Sequence, residues 1–207
     1  MTASPLRWLV IAAAVLAGLG LAGCLTSPST RFYVLTPVSA DRVEPSPASG
    51  GIAIGVRPVD LPEELDRAQI LTRTGPNTVH LAEFDRWSAP LRDSVTQILA
   101  GNLATLMPGD QVVAWPWPPG TPMDRQVVVD ITRLDGELNG RCVLQARWRV
   151  LGHRGTPPAV HGRSSLSEPS GGDYTALVAA QSRLLGALSA DIARAIHGTP
   201  RAEMTAP

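Results

Sequence analysis

QVVVDITRLDGELNGRCVLQARWRVL, residues 126 to 151, is the stretch that decides the fold. Two β-rich runs flank Asn139-Gly140, the dipeptide most strongly associated with a tight two-residue hairpin. A type I′ turn there pairs residues whose numbers sum to 279. One face then collects Cys142, Leu144, Ala146, Trp148 and Val150 with Ile131, Val129 and Val127. The other collects Arg141, Gln145, Arg147 and Arg149 with Thr132 and Asp130. In this register Trp148 stands opposite Ile131, and Asp130 opposite Arg149. A slip of one residue exchanges the faces, so the segregation argues for a half-buried antiparallel pair. Val128, Leu134 and Val143 fall on the polar face and spoil the pattern, and a turn at Asp135-Gly136 segregates less well.

Working outward, more strands precede and follow this pair. Ile52 to Val56, Ile70 to Arg73, Thr78 to Leu81, Gln111 to Trp115 and a run near Ala159 to Leu166 all read as β. Gly75-Pro76-Asn77 marks a hairpin between the second and third of these. Two helices stand between and after them. Leu91, Val95, Ile98, Leu99, Asn102, Leu103 and Leu106 keep helical spacing, with Ser88 as N-cap, Pro90 in the first turn and Pro108-Gly109 as the stop. Asp173 caps a second helix, to about His197, with Tyr174, Leu177, Val178, Leu184, Leu185, Leu188, Ile192 and Ile196 as its stripe. The order predicts an α+β single domain, an antiparallel or mixed sheet with two amphipathic helices packed on one face.

The N-terminus carries a different message. Arg7 precedes an uncharged apolar run from Trp8 to Leu21, too short for a membrane span and laid out like a secretory leader. Leu21-Ala22-Gly23-Cys24 resembles the lipobox of bacterial lipoproteins. The expectation is a leader, residues 1–23, removed before Cys24. Diacylglycerol and N-acyl (palmitate-type) chains would then be carried on Cys24. Leu25 rather than Asp after the cysteine favours the outer membrane, with the chain facing the periplasm. Gly18-Leu19-Gly20-Leu21-Ala22-Gly23 satisfies a dinucleotide fingerprint but lies in the leader, without the strand and helix that motif needs. Residues 24–51, rich in Ser, Pro, Thr and Ala, read as a tether holding one short strand at 31–35. The body spans 52–198, and 199–207 reads as a frayed tail.

Composition narrows the chemistry. The formal charge is zero, which gives no bulk attraction to nucleic acid. All 18 basic residues are arginine, a mark of genome composition. With Cys24 acylated, Cys142 has no partner for an intrachain disulfide, and its strand position makes it a buried thiol rather than a nucleophile. His80, His153, His161 and His197 fit no zinc spacing. Ser164-Ser165 lacks a nucleophile elbow. Glu63, Glu64 and Asp66 read as a solvated turn. Trp87 reads as core packing. Trp115-Pro116-Trp117-Pro118 is a stiff extended segment whose two rings are candidates for partner or lipid contact. No catalytic, metal or cofactor-binding residue is expected.

The body resembles the PqiC/YmbA family of ABC-type transport auxiliary lipoproteins. Carrying the likeness are the lipobox, Phe32-Tyr33-Val34-Leu35, Ile54 to Val59, Leu61 to Ile70, Glu83-Phe84-Asp85-Arg86-Trp87-Ser88-Ala89-Pro90-Leu91, Leu99 to Leu103 and Trp115 to Pro118; beyond about residue 120 it is one of pattern. The resemblance implies a non-catalytic subunit of an MCE/ABC-type envelope lipid-transport system, important to membrane integrity. It implies an MCE-domain, PqiB-like partner spanning the periplasm and a role docking that partner's far end, with a homo-oligomer as a further hypothesis. The alternatives are a structural or assembly lipoprotein of another envelope machine, a carrier that itself holds lipid, and an envelope hydrolase acting through His153, His161 or Ser164.

Overall fold

The computed structural model describes residues 28–39, 51–118, 120–152 and 158–198. The expected leader, Cys24, most of the expected tether, His153 and the tail from 199 lie outside them. In chain order the elements are β1 Arg31–Tyr33, β2 Ala53–Val56, β3 Gln69–Gly75, β4 Thr78–Trp87, α1 Leu91–Leu106, β5 Gln111–Ala114, β6 Arg125–Gly136, β7 Arg141–Leu151, β8 Pro158–Pro169 and α2 Tyr174–Gly198. The α+β assignment holds, and the strands are shared between two mixed sheets.

The larger sheet has the order β5-β2-β6-β7-β8. Its second half is the antiparallel meander β6-β7-β8, and its first half is parallel, with β2 between β5 and β6. α2 lies across β8, β7 and β6, while α1 packs on α2 and over β2 and β5. Cys142, Leu144, Ala146, Trp148 and Val150 all point at the helices and are buried, and Arg141, Gln145, Arg147 and Arg149 point to solvent. Leu177, Leu184, Leu185, Leu188 and Ile192 of α2 close the core from above. Asp173 caps α2 as expected, accepting a hydrogen bond from the Ala176 N–H at 2.7 Å.

The hairpin differs from its expected register in an instructive way. Next to the turn, paired residues sum to 278, as in Leu134 with Leu144, and beyond an irregularity between Ile131 and Arg133 they sum to 277, as in Ile131 with Ala146. Asp130 therefore faces Arg147, at 3.4 Å, rather than Arg149, and Trp148 faces Val129 rather than Ile131. The turn centres one residue early: the Gly140 N–H donates to the Glu137 carbonyl at 3.0 Å, and Asn139, not Gly140, has the positive φ of 60°. Contacts from the β8–α2 connection select this turn. The Asn139 N–H donates to the Gly171 carbonyl, the Ser170 N–H to the Gly140 carbonyl, and the Ser170 hydroxyl to the Glu137 carbonyl. The bulge then turns Leu134 inward, where it is 1% exposed.

The smaller sheet runs β1-β4-β3, with β3 and β4 the expected hairpin and β1 parallel to β4. Ser88 does not cap α1. Its N–H donates to the Tyr33 carbonyl at 3.0 Å, and the helix starts at Leu91 after Pro90, without a side-chain cap. After β1 the chain straps over both helices. Leu35 is buried, the Thr36 N–H donates to the Ser182 hydroxyl of α2 at 3.1 Å, and the Val38 N–H donates to Asn102 Oδ1 of α1 at 2.8 Å. A Cβ on Gly186 would lie 2.5 Å from Val38 Cγ1, so this helix position must be bare for the strap to lie down. Residues 31–38 are thus packed on the body, inside the stretch that composition marks as tether.

Candidate functional surfaces

The Trp-Pro segment leaves the free edge of the larger sheet. β5 is an edge strand, extended by one rung where the Trp115 N–H donates to the Val56 carbonyl at 2.9 Å. The next peptide bond, Trp115-Pro116, is cis. The two rings then take different duties. Trp117 lies on the body: a Cβ at Gly55 would be 2.9 Å from two of its ring carbons, and Met123 stands beside it. Gly55 is therefore a seat for an aromatic ring, which explains a glycine inside a buried strand. Trp115 stands edge-on to Trp117, centroids 4.8 Å apart at 85°, and is 46% exposed. A large ring is thereby held in water by a second ring that is itself fastened down. Gln97, Gln111, Val113 and Thr121 line the groove of about 490 Å³ around the pair.

A second surface is the open face of β6, β7 and β8. Arg147 stands directly opposite Arg163, and Arg149 opposite His161. The like charges of Arg147 and Arg163 repel at such a position. Asp60 and Asp130 lie at the same groove of about 470 Å³, and Asp130 neutralises Arg147 in part.

Other residues singled out by sequence have structural positions. Trp87 is buried at the end of β4. Asp66 holds Arg92 of α1 at 3.0 Å, and Glu63 and Glu64 sit in the exposed turn before it. Ser164 is buried; its hydroxyl donates to Asp191 of α2 at 2.6 Å and accepts from the Trp148 indole N–H at 3.2 Å. The three together pin α2 to the sheet. His161 is exposed on the opposite face. Burial pushes the Cys142 thiol up to about 12, with Asp135 adding to the effect, so it stays protonated and inert at neutral pH. Among the described residues no cluster of His, Cys, Asp or Glu is placed to hold a metal, and no helix is long and apolar enough to cross a membrane. The space between α2 and the sheet, where a carried lipid would have to lie, is filled by Leu144, Leu185, Leu188 and Ile192, all fully buried.

One residue with a fixing role had only a weak signal in the sequence. Asp85, in β4, is 6% exposed and binds Arg31 at 2.8 Å and the Tyr33 hydroxyl at 2.6 Å. Loss of solvent, followed by the bond to Asp85, raises the pKa of the Tyr33 phenol and keeps it a donor. The signal was an acidic residue between Phe84 and Trp87 in a strand-like run.

The chain also resembles known proteins. The family model described as ABC-type transport auxiliary lipoprotein component matches residues 33–193. The intermembrane transport lipoprotein PqiC of Escherichia coli K12 is 28% identical over 149 residues, 72% of this chain and 75% of that protein, and its Shigella flexneri counterpart matches equally. Among solved structures, an uncharacterized protein superposes with a TM-score of 0.66 at 22% identity, covering 82% of this chain and 99% of its own. A protein from Xanthomonas campestris does so at 0.64 and 17% identity, covering 82% and 97%. At such identities the two structures speak to the fold.

Proposed function

Because this chain belongs to the ABC-type transport auxiliary lipoprotein component family, we propose that it is a non-catalytic, outer-membrane-anchored subunit of an envelope lipid-transport system. In this reading it docks an MCE-domain protein that reaches across the periplasm from an inner-membrane complex. The relative at 28% identity is an intermembrane transport lipoprotein, which supports the transport half of the reading. Acyl chains on Cys24 would hold the domain at the membrane, since each buried methylene contributes about 0.8 kcal/mol and more than one chain gives stable anchoring. Anchoring raises the local concentration of the domain, so modest contacts with the partner suffice.

The observation that carries the docking half is Trp115, 46% exposed and braced by the half-buried Trp117, whose ring lies over Gly55. Rigid, amphipathic aromatic rings at the centre of an interface are the side chains that most often dominate binding. A symmetric assembly of several copies would suit docking onto a tubular partner. The test is affinity capture of the full-length acylated protein in gentle detergent, with mass spectrometry of what accompanies it. An MCE-domain protein should co-purify with the wild type and fall at least about tenfold in Trp115→Ala, while the melting temperature is unchanged. Trp117→Ala should lower that temperature, because its ring is seated on Gly55. Capture of unrelated envelope machinery would sink the reading, and undiminished capture by Trp115→Ala would move the docking surface elsewhere.

A further inference from the structure

β1 has a side that its own domain does not use. The strand is three residues long and lies at the edge of the smaller sheet, bonded to β4 alone. Its inward residues are accounted for: Tyr33 meets Asp85 and packs near Tyr174, and Leu35 enters the core. Strand alternation sends Phe32 and Val34 the opposite way. They are 67% and 62% exposed, the two highest values among the exposed large apolar side chains of the described residues. Arg31, with its side chain 65% exposed, precedes them, and Arg86 of β4 is the cross-strand neighbour of Phe32.

The position of this strand in the chain says what covers it. Phe32 follows Cys24 by eight residues. Fully extended, that span reaches at most about 29 Å at up to ~3.6 Å per residue. A lipid on Cys24 therefore keeps Phe32 and Val34 within reach of the headgroup layer wherever the domain turns. Exposed aromatic and aliphatic side chains beside an arginine, Arg86, match the chemistry of that layer, where ring and aliphatic groups meet acyl chains and a guanidinium meets phosphates. The strand is also rigid with the body, through the Arg31–Asp85 pair at 2.8 Å, the Ser88–Tyr33 backbone bond at 3.0 Å and the strap over both helices. Whatever Phe32 touches consequently orients the whole domain.

We propose that Phe32 and Val34 form a membrane-facing foot, which seats the domain in one orientation on the bilayer that holds the Cys24 lipid. The proposal rests on acylation of Cys24, and the test separates the two. Full-length protein purified from its native membranes carries one introduced cysteine, Phe32→Cys, Val34→Cys or, as a reference on the open sheet face, Ser165→Cys. Cys142 is fully buried, and an acylated Cys24 is blocked, so a bimane label goes to the new thiol. The labelled proteins are placed in vesicles of phosphatidylethanolamine and phosphatidylglycerol, with and without brominated acyl chains. Intact mass and flotation report acylation and vesicle binding in the same samples. Labels at 32 and 34 should shift to the blue and lose at least half their emission to brominated lipid, while the label at 165 keeps its emission. Labels at 32 and 34 as unquenched as that at 165, on protein that is acylated and vesicle-bound, would overturn the foot alone. A label that shifts to the blue without quenching would put protein there, such as a second copy, and equally overturn it. A chain without acyl mass would remove the anchor, and the foot with it.

Discussion

The two faces of β7 carry residues of the same eleven-residue strand and have opposite fates. On one, Cys142, Leu144, Ala146, Trp148 and Val150 are locked beneath α2. On the other, Arg141, Gln145, Arg147 and Arg149 stand in water, with Arg147 facing Arg163 and Arg149 facing His161 on β8. The inner face supplies stability through apolar area removed from water, at roughly 25 cal/mol per Å². The outer face supplies almost none, because exposed ion pairs are screened and their partners mobile. Stability and surface chemistry are thus assigned to alternate residues, and one can change without the other.

Three substitutions probe that division. Leu144→Ala should cost the most, about 2–5 kcal/mol, since it opens a cavity among fully buried neighbours. Urea unfolding of the folded domain measures it, and a loss under 1 kcal/mol would mean that the inner face is not close-packed.

The next effect appears with pH. The Cys142 thiol has its pKa raised by burial from 9.0 to about 12. The unfolded chain therefore loses this proton first, and the contribution is fully present below about pH 9 and lost as pH rises toward 12. Stability should fall across that window with a slope of at most about 1.4 kcal/mol per pH unit from this group. Tyr33, also raised, acts with the same sign. Cys142→Ala should flatten the slope in part, and an unchanged slope would show that the thiol is not the group responsible.

Smallest of all, Arg147→Ala on the outer face should change stability by about 0.2–1 kcal/mol, despite removing the pair with Asp130 at 3.4 Å. Its side chain is 60% exposed. A loss above 2 kcal/mol would erase the distinction between the faces.

Much of this was legible in the sequence, for reasons that can be stated residue by residue. Alternation along β7 identified the buried set correctly even though the expected register was wrong. β7 alternates without a break, so every side chain from Cys142 to Val150 keeps its face, and the turn and the bulge each displace the pairing by one residue, two steps that restore parity for Val127, Val129 and Ile131 of β6. Leu134 spoiled the pattern because no local signal marks the bulge that turns it inward. Ser88 read as a cap because its spacing to α1 is ordinary, whereas its N–H is taken by a strand more than fifty residues earlier in the chain. For the candidate surfaces, the Trp-Pro segment stood out by composition. Which ring is fastened and which is free depended on Gly55, about sixty residues earlier in the chain than either ring but directly beneath Trp117.

The sequence by itself determined the α+β class, the inward faces of the long strands and helices, the α2 cap and the lipoprotein-like start of the chain. Each is written in spacing over a few neighbouring residues. Only the tertiary structure decided that β1 joins the body, that the strap needs a bare Gly186, that Phe32 and Val34 are left outside, and that Ser170 and Gly171 choose the hairpin turn. These depend on close approach between segments far apart in the chain, where a single Cβ or one backbone hydrogen bond selects among arrangements that local pattern leaves equal.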